Sequence, residues 1–371
     1  MPSINPRTLW EAKQHTLAKI EIVRRYLYLW FSILGANPAN KRLVYIDGFS
    51  GPGGYTNSEH SSPLAALQSA KAAIERPGAK LNNVEFSFLF IEKKREFVEN
   101  LCKVVSANSW PSQLKWHAEQ GSFEEKVGGI LRDLQRKGQS LAPTFAFIDP
   151  FGATGLPFSV VAEILSHRKC EVLLNLDSDG IGRLITAQQF EKNQKNLDSL
   201  FGDQSWKQLD PSAPMARLSA SVLALYKKRL RSLRQVRYVF AFAMNSREGQ
   251  LNYHLVFGSQ HPLGLEKMKE AMKAVDKSGS YSFSDDTVGQ ELLFDFNAPA
   301  DWATKMQLAL GGSPRPYSEF HDYALNETPF INPKAMFKHL KDIGKLRIQW
   351  RGQPAKTGFP EEKIASILIV K

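Results

Sequence analysis

Only two of the 371 residues are cysteine, Cys102 and Cys170. A disulfide scaffold and a cysteine-rich zinc site are therefore excluded. No apolar run reaches the roughly 18 residues that a membrane-spanning helix needs. Residues 1–15 lack the apolar core of a secretory leader, so the expectation is a soluble, cytoplasmic protein. The eight histidines show neither H-x-x-x-H nor H-E-x-x-H spacing. No Walker lysine follows the glycine-rich loop described below, and no G-x-S-x-G elbow is present. Zinc protease, P-loop and serine hydrolase chemistry therefore have no carrier. Repeats and low-complexity tracts are absent too.

What is present is an ordinary globular composition, 43% hydrophobic and 23% charged, with a net charge of +11. The length suggests two or three domains. The charge is clustered. Residues 227–237 hold Lys227, Lys228, Arg229, Arg231, Arg234 and Arg237 without an acid. Residues 331–371 hold nine Lys or Arg against Asp342, Glu361 and Glu362. Clustered positive charge attracts polyanions. A nucleic-acid partner is expected, with Lys227, Arg231, Arg234, Lys338, Lys341 and Arg351 as candidate contacts; two solvated faces are the plainer reading.

Apolar spacing near three and four predicts one packing helix over residues 8–35. Short apolar runs then alternate with helical stretches: strands at 43–46, 84–91, 114–118, 144–148 and 171–176, with helices at 62–74 (Ser62 reading as its cap, with Pro63 at the first helical position), 94–105, 123–136 and 156–166. That rhythm predicts an α/β fold with a mainly parallel, doubly wound sheet. Residues 186–234 break it and read as a helical insertion. Residues 236–243 and 253–257 read as an antiparallel hairpin at the sheet edge, turning at 245–249. A helix follows at 265–275. The domain scheme is therefore a packing helix (1–40), a Rossmann-like domain (41–275), a linker (276–312) and a small basic domain (313–371). In the last, a helix at 333–343 and strands at 345–349 and 364–370 resemble part of a winged helix.

The strongest chemical signal is Asp47-Gly48-Phe49-Ser50-Gly51-Pro52-Gly53-Gly54, between the first strand and a helix. Glycines there allow close backbone approach to a ligand. In doubly wound folds ligands lie beyond the C-terminal strand ends. The acid-then-glycine order suits a nucleoside-amino-acid cofactor, S-adenosylmethionine, better than a dinucleotide. Asp47 would anchor its amino group, with Gly48, Phe49, Ser50, Gly51 and Gly53 forming the cradle. Glu92 ends the second strand, where an acid accepts ribose hydroxyls; Lys93 adjoins it. Gln120 and Ser122 follow the third strand as an adenine-edge loop, or Ser122 is a helix cap.

Asp149-Pro150-Phe151-Gly152 closes the fourth strand. An acid, a rigid proline and an aromatic can accept from an amino group and stack on a planar ring. Amine methyltransferases use a related tetrad, Asp/Asn-Pro-Pro-aromatic. Here the aromatic stands one position early. These four are the candidate catalytic residues, and a strand-ending turn is the plainer reading. No metal site is expected. His254, in an apolar strand, reads as a core residue.

YIDGFSGPGGY, SSPLAAL, FIEKKREFVENL, FAFIDPFGATGLPF and FAMNSREGQLNYHLVFGSQHPLGLEKMKEAM together resemble the three-Cys-motif partner protein family, over roughly residues 10–371. The resemblance implies a class I S-adenosylmethionine-dependent methyltransferase fold. It also implies a genomic neighbour with a three-cysteine motif, similar to radical-SAM enzymes. Three functions follow as expectations: a nucleic-acid methyltransferase, a non-catalytic protein of the same fold that binds nucleic acid or docks its partner, and a nuclease holding a metal with Asp47, Asp149 and Asp177.

Overall fold

A computed structural model describes residues 9–58, 60–81, 83–152, 154–187, 190–245, 251–276, 282–284 and 299–371. The chain divides into two units, residues 1–275 with 282–289, and residues 276–281 with 290–371.

The first unit is built on a sheet. Its strands are β1 (Arg42–Asp47), β2 (Glu85–Glu92), β3 (Leu114–Gln120), β4 (Thr144–Ile148), β5 (Glu171–Leu176), β6 (Tyr238–Asn245), β7 (Leu251–Ser259) and β8 (Ser282–Ser284). Their order across the sheet is β3-β2-β1-β4-β5-β7-β6-β8. β1 to β5 run parallel. β7 is antiparallel to β5 and β6, and β8 pairs parallel with β6. This is a Rossmann-like sheet. The strand order reverses between β1 and β4, and the crevice above such a switch point is where open sheets collect ligands.

Strand periodicity sorts the side chains. Tyr45, Phe88 and Phe145 point to one face, where Tyr26 of helix α1 (Gln14–Gly35) packs 5.1 Å from Phe145. α1 also packs on α2 (Ser62–Glu75) and α9 (Pro262–Val275). Ile46, Ala146, Ile148, Val172 and Leu174 point to the other face. They meet α4 (Phe123–Arg136), α5 (Phe158–Ser166), α6 (Ser178–Thr186), α7 (Phe190–Phe201) and α8 (Met215–Arg231). Helix α3 (Arg95–Ser106) packs beside β2 and β3.

Three sequence expectations need correction here. Helix α1 begins at Gln14, not residue 8, because tertiary hydrogen bonds claim the backbone before it. The Trp10 carbonyl accepts the Thr56 N–H at 3.0 Å, and Asn57 bonds both the N–H and the carbonyl of Ala12. The region read as an insertion belongs to the core. Leu197, Phe201, Trp206, Val222, Tyr226 and Leu230 share one buried cluster with the sheet. The cap of α2 is Ser61 rather than Ser62, its hydroxyl facing the Leu64 N–H. Residues 246–249 of the expected turn lie outside the described residues.

The second unit has its own core. Helices α10 (Pro299–Leu310), α11 (Tyr317–Glu327) and α12 (Lys334–Asp342) precede strands β9 (Leu346–Trp350) and β10 (Ile364–Ile369). The strands pair antiparallel, and Arg315 bridges to Ile367. Ala303 and Met306 of α10 are fully buried with Phe320, Met336, Phe337 and Ile367. The segment expected as a linker thus supplies a core helix of this unit. Residues 282–284 of that expected linker pair with β6 as β8, and its residues 277–281 and 285–298 lie outside the described residues.

Candidate cofactor and active site

The parallel strands bring Asp47, Glu92, Gln120 and Asp149 to one edge of the sheet. Asp47 is the last residue of β1 and is wholly buried. Its carboxylate accepts from the Phe49 N–H and the Tyr45 hydroxyl, each at 3.2 Å. Burial pushes its pKa up to about 7. Hydrogen bonds from Ser62, the Phe49 amide and Tyr45 resist that rise, and the neighbouring Asp149 charge adds to it. A buried carboxyl of this kind is a strong acceptor for a ligand cation.

Glu92 ties two loops together. Its Oε2 accepts the Gly51 N–H at 3.1 Å and its Oε1 the Lys94 N–H at 2.9 Å. Its backbone carbonyl accepts the Gly121 N–H. The side chain is half-buried. A carboxylate has about four acceptor positions, so two remain for hydroxyls of a ligand.

The structure separates the glycines that the sequence put together. A Cβ on Gly48 would sit 2.8 Å from Phe123, and one on Gly53 would meet Leu101 at 3.0 Å. Both are packing positions. Gly51 differs: φ is +62° and a Cβ there would meet no protein atom within 4 Å. Its open face is the place where a ligand can reach the backbone. Ser50 braces the loop, its hydroxyl donating to the Asp47 carbonyl and its N–H to the Ile91 carbonyl. Phe49 packs near Phe123. Gln120 is exposed and its Nε2 donates to the Lys93 carbonyl at 3.3 Å. The side chain of Lys93 is exposed. Ser122 caps α4, its hydroxyl accepting the Glu125 N–H at 3.2 Å.

Asp149 sits just past β4 with both carboxylate oxygens engaged. Lys19 Nζ donates to Oδ2 at 2.5 Å and Asn175 Nδ2 to Oδ1 at 2.8 Å. Lys19 comes from α1 and is 7% exposed. Burial alone would depress its pKa, yet the Asp149 carboxylate holds it above the ordinary lysine range. Lys19 is thus a fixed cation and not a base. Asn175 Oδ1 is buried with no hydrogen-bond partner among the described residues. A buried acceptor left unmet costs free energy, and this one lies beside Asp149, where a donor from a ligand would satisfy it. Pro150 is buried, whereas Phe151 is 79% exposed and Gly152 is exposed. Phe151 is therefore no buried turn residue.

Asp177 caps α6, accepting the Gly180 N–H at 2.7 Å. Among the described residues no three His, Cys, Asp or Glu gather as a metal site would require. His254 Nδ1 lies 3.0 Å from the Ser178 hydroxyl, and burial depresses its pKa to about 4. It is a neutral core residue.

The basic run on α8 is partly structural. Arg229 pairs with Asp203 at 2.9 Å and lies over the Phe158 ring. Arg231 donates to the Val239 carbonyl. Lys227 is half-buried and Arg234 exposed. In the second unit, Lys334, Lys338 and Lys341 line the exposed face of α12, opposite Met336, Phe337 and Leu340, and Arg351 is exposed.

The residues not foreseen from the sequence are Lys19 and Trp10, from the N-terminal segment, and Asn57, from the loop after β1 that bonds to that segment. Lys19 did leave a signal. It shares a helical stripe with Val23, Tyr26 and Trp30, all buried, and a lysine in an apolar stripe needs a buried partner.

No family model matches the chain, and no curated protein does. Among solved structures, it is similar to an O-methyltransferase from Bacillus cereus in complex with SAH, with 10% identity, 67% of this chain and 91% of that chain covered, and a TM-score of 0.35. It is also similar to an SAH-bound methyltransferase from Podospora anserina, with 11% identity, coverage of 68% and 90%, and a TM-score of 0.29. No helix of the described residues is long and apolar enough to cross a membrane.

Proposed function

We propose that this chain is an S-adenosylmethionine-dependent methyltransferase acting on nucleic acid. One observation carries the cofactor assignment. At the β1/β4 switch point, Glu92 accepts the N–H of Gly51 beside the open face of that glycine. An acid and an uncovered backbone are thus joined where a nucleoside cofactor of this fold sits. Glu92 would hold the ribose hydroxyls, Gly51 would let the cofactor lie against the main chain, and Asp47 would receive the amino group of its methionine part. When bound, the cofactor supplies an electrophilic methyl group. Asn175 Oδ1 would accept an N–H of the substrate amine, with Asp149 orienting the Asn175 amide and Phe151 offering an exposed face for a planar base.

The second unit supports the substrate class. Its order of helix, bridge, two helices and antiparallel strands resembles a winged helix, which presents its last helix to DNA. Lys334, Lys338 and Lys341 stand on the exposed side of that helix, and Trp350 on β9 could stack on a base. The resemblance to three-Cys-motif partner proteins supports a radical-SAM-like protein as companion. A second reading rests on Asp149, both of whose oxygens are already engaged: a non-catalytic protein that binds cofactor and nucleic acid.

Labelled methyl transfer tests the choice. The full chain should move label from S-adenosylmethionine into DNA or RNA. The Lys338→Glu, Lys341→Glu, Arg351→Glu variant should transfer less and bind nucleic acid with a salt slope shallower by about 0.7–0.9 for each phosphate no longer neutralised. Cofactor binding without transfer to either polymer supports the second reading. Nucleic-acid binding equal to wild type in the variant contradicts the surface.

A further inference from the structure

Residues 9–13 form a strap ahead of α1, and Trp10 stands where three functional loops meet. Its ring centroid is 5.8 Å from Tyr55, in the loop after β1, and 5.8 Å from Phe97, in the first turn of α3 after β2. It is 6.4 Å from Phe151, in the loop after β4. These are the loops that carry Gly51, adjoin Glu92 and carry Asp149. Trp10 itself is 37% exposed, so it is not a core tryptophan. Its position is held from behind. Asn57 Oδ1 accepts the Ala12 N–H at 2.8 Å and Asn57 Nδ2 donates to the Ala12 carbonyl at 2.9 Å. The Trp10 carbonyl accepts the Thr56 N–H. Downstream, Lys19 pins α1 to Asp149.

We propose that Trp10 is a ligand-contacting residue of the cofactor cleft, carried by a strap that closes over the bound cofactor and must leave Asn57 for exchange. This rests on the cofactor reading above. An aromatic that touches the loops after β1, β2 and β4 at once spans the mouth between them. A nucleoside lying against Gly51 and Glu92 is then shielded on its solvent side by the indole. The two Asn57 bonds join strap to loop through backbone atoms of Ala12, so they restrain the strap without any contact to the ligand. A strap that only decorated the fold would leave ligand exchange unaffected when loosened.

Stopped-flow release of S-adenosylhomocysteine from the full chain tests this. Trp10→Ala removes the cover, and Asn57→Ala loosens the latch without touching the ligand. Each should release the ligand about tenfold faster, the scale of one or two hydrogen bonds or one aromatic stacking partner. Circular dichroism matching wild type checks the fold of both. Wild-type release rates in both variants overturn the strap while leaving the cofactor reading intact. A folded wild type that binds no S-adenosylhomocysteine overturns that reading, and the strap's role with it.

Discussion

Asp47 shows how a fold sets the chemistry of one residue. It shares the sheet face of Tyr45, so its carboxyl points into a packed layer, and burial pushes its pKa from 3.8 to about 7. The folded chain therefore holds a proton that the unfolded chain releases near pH 4. The stability tied to that proton is complete below about pH 4 and is lost as the pH rises through 7. Asp47→Asn removes the penalty of the buried charge. Its Tm should exceed that of wild type by about 5 °C at pH 8, with almost no gain at pH 4. Equal differences at the two pH values contradict a burial-driven shift. The same variant should bind S-adenosylmethionine more weakly, since it cannot supply the negative charge that the amino group needs.

At the scale of elements, the Lys19–Asp149 pair adds a charged link between α1 and the end of β4 to the aromatic packing of Tyr26 on Phe145. Removing one partner leaves a charge in a largely dry site, which costs roughly 3 kcal/mol. Lys19→Met should lose about that much in denaturant unfolding, and adding Asp149→Asn should restore part of it. A loss below about 1 kcal/mol would mean that water screens the pair. Element positions were largely legible in the sequence. Periodicity places β4, β5 and α4 to the residue, because each is a strong pattern bounded by a turn or, at Ser122, a true cap. The start of α1 was not legible. Leu9 fits the helical spacing, but the bonds from Asn57 and Thr56 pull residues 9–13 out of the helix. α10 and α11 were missed for another reason. Their buried residues, Ala303, Met306, Phe320 and Ala324, form short stripes in polar segments that only the small unit's own core completes.

In the whole molecule, a cofactor-type sheet and a small basic unit share one chain. The site edge was legible because strand ends are: Asp47, Glu92 and Asp149 all fall where parallel strands finish. Lys19 was not tied to Asp149, since 130 residues separate them in sequence and no local pattern reports such a pairing. The distinction among glycines also needed the fold, for only packing shows that Gly48 and Gly53 face protein and Gly51 faces open space. That distinction supplies the most direct measurement. In calorimetric titration, the full chain should bind S-adenosylmethionine saturably with one site. Gly51→Ala, whose added methyl clashes with no protein atom and costs only about 1–2 kcal/mol of backbone strain, should stay folded and bind at least about tenfold more weakly. Absence of binding by the folded wild type, or undiminished binding by Gly51→Ala, would contradict the placement of the cofactor.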